Sequence, residues 1–359
     1  MQRINSKHLM FVIWGTCIVS LKTNISIPIS NAGRDIWISV IIASIVILLY
    51  IVSVENIMIK SSKFNLYEIY TGALGKILGN IFLLLTALSF IVMLIECAAT
   101  EASTVHTNLF IETPHWYLLI LFVIPAIYSV KKGLVPTIVI TIIGMILAML
   151  AGVNLVILTS SYKNYKLLFP ILAHGLNMDI IIGAIKCIGY YGGILTFFTF
   201  LDFVDSHDVH NIKRFSIIGF LMIFQMQVVS SSGTIVSFGP ERAGYLVYPK
   251  LIQTQEISYF GYIENGELFV LFQTLGGWFV KYILTFFALR TILRRYSFDN
   301  IYVIVSLSLM ILVVSYFASS NLLRLIKLQH YYCYFNAITM VLIPWIIFGI
   351  YSFRSKKNA

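Results

Sequence analysis

Ionisable side chains set inside long apolar runs are where this sequence could do chemistry. Lys22 stands in the middle of FVIWGTCIVSLKTNISIPIS, between Leu21 and Thr23, with Asn24 beside it and Pro28 further on. A lysine at mid-membrane depth is costly and marks a functional site by default. The competing reading is a snorkelling side chain, but Lys22 lies about ten residues from either end of its run, a long reach to water. Ser89, Met93 and Glu96 recur at i, i+4 and i+7 and share one helical face. Glu96 falls near the outer end of its run and Glu101 follows; both read either as carboxylates at a wet vestibule or as ligand or cation contacts. Glu267, Thr274 and Lys281 recur at i, i+7 and i+14, with Gln273 alongside. A polar stripe containing a lysine should face the interior of a helix bundle. It serves there as a coupling or gating face, or as glue between helices.

Other groupings point away from reaction chemistry. Asp205-Ser-His-Asp-Val-His210 has the residue types of a metal cluster, but it reads as a solvated charged turn and no metal is assigned. The cysteines Cys17, Cys97, Cys187 and Cys333 form no spaced pair, so neither a disulfide framework nor a metal knuckle follows. No nucleophile–base pair stands out; the reading is not an enzyme, and no cofactor is expected. Gly189-Tyr190-Tyr191-Gly192-Gly193 is different in kind. Three glycines in five residues weaken a helix in the middle of the apolar run 178–204. Backbone loosened at that depth must be buried in protein or line a polar cavity. The glycines could also serve close helix packing.

The elements that must position these residues are membrane spans. Of 359 residues, 59% are hydrophobic and only 11% charged, with mean hydropathy +0.89, where a soluble domain carries about a quarter charged residues. Ten spans are expected, near 8–29, 36–59, 77–99, 116–130, 134–158, 178–204, 213–238, 264–289, 300–319 and 333–352. The chain thus reads as one all-α polytopic membrane domain, 1–359, with helices 1–5 over about 8–158 and helices 6–10 over about 178–352. The start of the chain also passes for a signal peptide with a site at Ser30-Asn31-Ala32, against which stands a retained first helix. With the N-terminus inside, 15 Lys and Arg fall in inner segments and 7 in outer ones, placing both termini in the cytoplasm. The net charge of +10 reflects this loop bias toward anionic membrane lipid, not nucleic-acid binding. Spans 1 and 6 are interrupted at corresponding places in two five-helix halves, the second inverted. That is the LeuT-like 5+5 inverted repeat with broken helices 1 and 6 and a midplane substrate site.

The sequence also resembles a family, the spore germination permeases, which are the B subunits of endospore nutrient germinant receptors within the amino acid–polyamine–organocation transporter superfamily. The likeness runs through Ile27-Pro28, Ala32-Gly-Arg-Asp-Ile-Trp-Ile-Ser39, Leu74-Gly-Lys-Ile-Leu-Gly79, Glu112-Thr-Pro-His-Trp116 and Tyr128-Ser-Val-Lys-Lys-Gly133. It continues with Pro170-Ile-Leu-Ala-His-Gly175, Tyr248-Pro-Lys-Leu251, and Glu264 and Glu267 leading into Trp278-Phe-Val-Lys281. The resemblance implies ten helices in the 5+5 arrangement, a cytoplasmic N-terminus and the spore inner membrane. It implies a germinant pocket formed by spans 1, 3, 6 and 8 for an amino acid or similar small nutrient. The implied partners are the A subunit and the C-subunit lipoprotein. The ligand-binding candidates are then Leu21, Lys22, Thr23, Asn24, Ser89, Met93, Gly189, Tyr190, Tyr191, Gly192, Gly193, Gln273 and Thr274. Lys22, Glu96, Glu267 and Lys281 are the coupling or gating candidates. Two departures stand out: the family's small break in span 1 falls on Leu21-Lys22-Thr23, and its proline break in span 6 is replaced by the glycine run. The alternative function is a sodium-independent amino-acid permease working by alternating access, with Lys22 or Lys281 in place of a coupling cation.

Overall fold

A computed structural model describes residues 2–173, 175–255, 257–259, 263–264 and 267–357. Span 1 is built from α1 (His8–Cys17), α2 (Val19–Thr23) and α3 (Ser26–Ala32). Then come α4 (Ile36–Ser61), the short α5 (Leu66–Leu74), α6 (Lys76–Asn108), α7 (His115–Lys131) and α8 (Leu134–Leu158). Span 6 is α9 (Met178–Tyr191) and α10 (Ile194–Phe200), and span 7 is α11 (Ile212–Phe238). The short helices α12 (Pro240–Tyr245) and α13 (Pro249–Gln255) and a two-stranded hairpin (Ser258–Tyr259 with Ile263–Glu264) lead into α14 (Glu267–Arg295). Spans 9 and 10 are α15 (Ile301–Ser319) and α16 (Leu322–Asn336) continued by α17 (Ile343–Lys357).

Among the described residues, eight helices are long and apolar enough to cross a membrane, and the shorter apolar helices His8–Thr23 and His115–Lys131 make ten. The all-α expectation holds, as do the interruptions of spans 1 and 6. Span 10 is longer than its hydropathy suggested. Its helix begins at Leu322, so Arg324 and Lys327 lie on its first turns and not in a loop.

The interruptions have local causes. Proline has no N–H and its ring crowds the carbonyl four residues back. Pro28 therefore cannot bond Asn24, and the helix stops at Asn24, whose φ of −99° and ψ of 28° leave the helical region. Pro344 frees the Met340 carbonyl in the same way. The chain there widens into a π turn over Ala337–Leu342, and the Tyr50 hydroxyl donates to the Met340 carbonyl at 3.3 Å. In span 6, the N–H of Gly192 bonds Gly189 at 3.0 Å and that of Thr196 bonds Gly193 at 3.0 Å, so the break is a tightened right-handed turn.

Helix contacts sort the spans into two groups. α4 packs on α9 and α11, and α1 packs on α11, gathering spans 1, 2, 6 and 7. α14 packs on α6, α7 and α8, and α15 packs on α6 and α7, gathering spans 3, 4, 5, 8 and 9. At the end of span 6 the Ile4 N–H donates to Phe203 at 2.9 Å and the Asp205 N–H to Ile4 at 3.0 Å, so the N-terminal segment is tied down there. The adjoining Asp205–His210 turn spends its acids on nearby backbone and amide N–H groups. Asp208 accepts from the Ser6 N–H at 2.6 Å and from Asn211 at 2.8 Å. No metal-type cluster occurs among the described residues.

Candidate functional site

A buried ion pair between spans 3 and 8 meets the interrupted span 1 at Ser20. Lys281 Nζ of α14 donates to Glu96 Oε2 of α6 at 2.9 Å, with side-chain exposures of 0% and 3%. Ser20 of α2 donates to Glu96 Oε1 at 3.0 Å and also accepts from Lys281. Tyr332 of α16 donates to Glu96 Oε2 at 3.2 Å, and Lys281 Nζ stands 5.4 Å from the centre of the Trp278 ring. Each charge therefore has hydrogen-bonded partners, which a buried charge requires. The arrangement fastens the short helix α2 to spans 3, 8 and 10. Glu96 is not at a vestibule: α6 runs twelve residues beyond it to Asn108. Glu101 is buried as well, at 2% exposure.

The glycine run of span 6 sits beside this pair and serves close approach. A Cβ on Gly189 would strike the backbone carbonyl of Cys333, and one on Gly193 would strike the carbonyl of Thr16. One on Gly192 would lie 2.9 Å from the Gly189 oxygen and 3.2 Å from both Asn336 and Met340. Tyr190 and Tyr191 are fully buried, and the Tyr191 and Ser44 hydroxyls share a bond of 3.1 Å.

A cavity of about 500 Å³ opens on the other side of α2. Its walls are α1 and α2, α8, α11, α14 and the short helix α13. Gln227 of α11 reaches into it and donates to the carbonyls of Ile18 and Cys17 at 2.8 and 3.5 Å, satisfying backbone where α1 gives way to α2. Lys22 donates to Gln273 Oε1, and Gln273 donates in turn to the Ala148 carbonyl at 3.2 Å. Lys250 of α13 donates to Gln253 at 3.2 Å, and Lys163 to the Val156 carbonyl at 3.4 Å. Burial, with the charges of Lys22 and Lys163 nearby, holds the Lys250 ammonium well below the usual lysine range. The volume suits a small molecule, and the walls are apolar with a few polar groups, as ligand pockets are.

Of the candidates from sequence, the cavity brings together Lys22, Thr23, Gln273 and Thr274. Leu21, Met93 and Ser89 are fully buried elsewhere, Ser89 bonding its own helix at Leu85. Asn24 borders a second, smaller cavity of about 70 Å³ next to Gln329 and His330. The Gly189–Gly193 run lines neither cavity. The break expected on Leu21-Lys22-Thr23 falls to either side of it, at Ile18 and at Asn24, and Pro28, not the lysine, sets the one at Asn24. The main cavity adjoins spans 1, 5, 7 and 8, where spans 1, 3, 6 and 8 were expected. The Glu267 side chain lies outside the described residues. Gln227 and Lys250 are not among the site candidates from sequence. An amide in mid-span was the available signal for Gln227, while Lys250 looked like any loop lysine.

Ten spans in two packed groups, the interruptions of spans 1 and 6 and a cavity at the first of them define a membrane protein of LeuT-like, transporter-type fold. Among solved structures the chain is similar to a mutant of the manganese transporter of Eremococcus coleocola (TM-score 0.62, 16% identity, 95% of this chain and 78% of that one). It is also similar to a Na⁺-coupled sialic acid symporter (TM-score 0.59, 14% identity, 97% and 78%). The family model described as spore germination protein matches residues 3–296, and the chain belongs to that family of spore germination permeases. It is 26% identical over 289 residues to spore germination protein XB of Bacillus anthracis, covering 79% of each chain.

Proposed function

We propose that this chain is the membrane-embedded B subunit of a nutrient germinant receptor, binding an amino acid or similar small nutrient and signalling through partner subunits. The observation that carries the reading is the cavity against broken span 1, with Lys22 on its wall and the Lys281–Glu96 pair anchoring the same short helix from the other side. A ligand that favours one setting of α2 would shift the bundle against the remaining spans, since a ligand moves an equilibrium only by its differential affinity. The partners in this reading are the A subunit and the C-subunit lipoprotein, in the spore inner membrane. In spores whose only copy carries Lys22→Met, we expect a germination dose response displaced by about tenfold or more at matched protein level, from loss of one charge-assisted contact. Lys22→Arg should restore it in part, because the fork is bulkier. An unchanged dose response would remove Lys22 from the site.

The reading also places both termini in the cytoplasm. Cysteines introduced at Lys131 and Lys213 should label only from the cytoplasmic face, and those at Lys163 and Arg242 only from the opposite face. The reverse pattern would overturn the orientation.

A second reading is a sodium-independent amino-acid permease. It is favoured by the fixed Lys281 ammonium, which bonds Ser20 of broken span 1 where a bound cation would do similar work. Uptake of labelled amino acids into proteoliposomes holding this chain alone, without a sodium gradient, would select it over the receptor.

A further inference from the structure

The charge on the cavity wall is of one sign. Lys22, Lys163 and Lys250 all line it, and no Asp or Glu is among the described lining residues. Each lysine's protein acceptor is neutral: the amides of Gln273 and Gln253 and the carbonyl of Val156. Among the described residues, none of the three pairs with a carboxylate, although Lys63, Lys281, Arg290 and Arg294 do. Three lysines around one space disfavour each other's charge, the more so beside a low-dielectric wall. An anion entering the space is the group that relieves this. The remainder of the wall is apolar, with Ile18, Val19, Met149, Met226 and Leu251 among its members. Val153 and Val156 of α8 and Met222 and Val229 of α11 line the cavity and are also exposed on the outer surface of their spans. The space therefore reaches toward the bilayer between α8 and α11.

We propose that this cavity binds an organic anion, an acid group on an apolar tail, with the acid held among Lys22, Lys163 and Lys250 and the tail lying between α8 and α11. This narrows the nutrient-binding reading above, on which it rests, to a ligand class. An α-ammonium group would meet no carboxylate on the described walls, so the acid alone is recognised. The same chemistry is offered by a soluble monocarboxylate and by an anionic lipid whose chain enters sideways.

The test uses the full chain in nanodiscs of zwitterionic lipid, titrated with hexanoate, hexylamine and norleucine while its melting temperature is followed. Norleucine has the hexanoate skeleton with an added ammonium group. Hexanoate should raise the melting temperature, and norleucine and hexylamine should do so less or not at all. Lys250→Gln should weaken hexanoate binding by about tenfold, the worth of one charge-assisted contact, and Lys250→Arg should retain it. Adding phosphatidylglycerol to the nanodiscs separates the sources. Competition with hexanoate assigns the site to lipid, and its absence assigns it to a soluble acid. Tighter binding of norleucine or hexylamine would overturn the anion assignment, as would unchanged hexanoate binding in Lys250→Gln. No shift with either hexanoate or phosphatidylglycerol would overturn it too. Because the assay reads binding and not germination, an anion that binds without triggering spores would leave this inference standing and remove the receptor reading.

Discussion

Replacing Lys281 with methionine should cost this protein more stability than any other single change of an ionisable residue. Methionine fills much of the space of the lysine stem, so the loss is electrostatic. Glu96 would remain with only the hydroxyls of Ser20 and Tyr332 and the weakly donating Cys97 thiol to hold its charge. Breaking a buried pair by removing one partner costs about 3–5 kcal/mol, a large part of the roughly 5–15 kcal/mol by which a folded domain is stable. The expected result is sharply reduced accumulation and a melting temperature well below wild type for the detergent-purified chain. Adding Glu96→Gln should return most of the loss, because a neutral amide beside methionine leaves no unpaired charge. A double variant no more stable than Lys281→Met would show that the ion pair is not what fastens α2. Function should not return in the double variant, since the link from Ser20 of span 1 to span 8 would be gone.

Gly189→Ala is the second large effect, from one added methyl group. The new Cβ would collide with the main-chain carbonyl of Cys333 on α16, and a main-chain atom cannot rotate aside as a side chain can. α9 and α16 would have to separate, at or beyond the about 1–3 kcal/mol typical of overpacking. We expect little protein in the membrane, and lowered thermal stability in what remains. Gly349→Ala, in α17, is the matched control: nothing lies within 4 Å of its Cβ, and alanine is the better helix former. It should be neutral or slightly stabilising. Normal accumulation of Gly189→Ala with a lost ligand response would instead return the glycine run to the binding site.

Much of the architecture was legible along the chain because hydropathy and glycine and proline placement act locally. Ten apolar runs and the interruptions of spans 1 and 6 follow from residues near one another in sequence. The intramembrane charges were legible too, since Lys22, Glu96 and Lys281 stand out against apolar neighbours. Their partners were not. A helical period says which residues share a face, but not which helix that face meets or at what depth. Glu96 and Lys281 are 185 residues apart, and Gln227 caps the Ile18 carbonyl across 209. Such pairings depend on how each helix is rotated and shifted against its neighbours, which side-chain volume decides. The same holds for the glycines: the sequence marks a weak point in span 6, and only the position of Cys333 shows that the missing Cβ makes room for another backbone. The three lysines of the cavity come from α2, the loop after α8 and α13. Their gathering into one space, with no facing acid among the described residues, is a property of the tertiary structure, because like charges approach only where packing of the surrounding helices compels it.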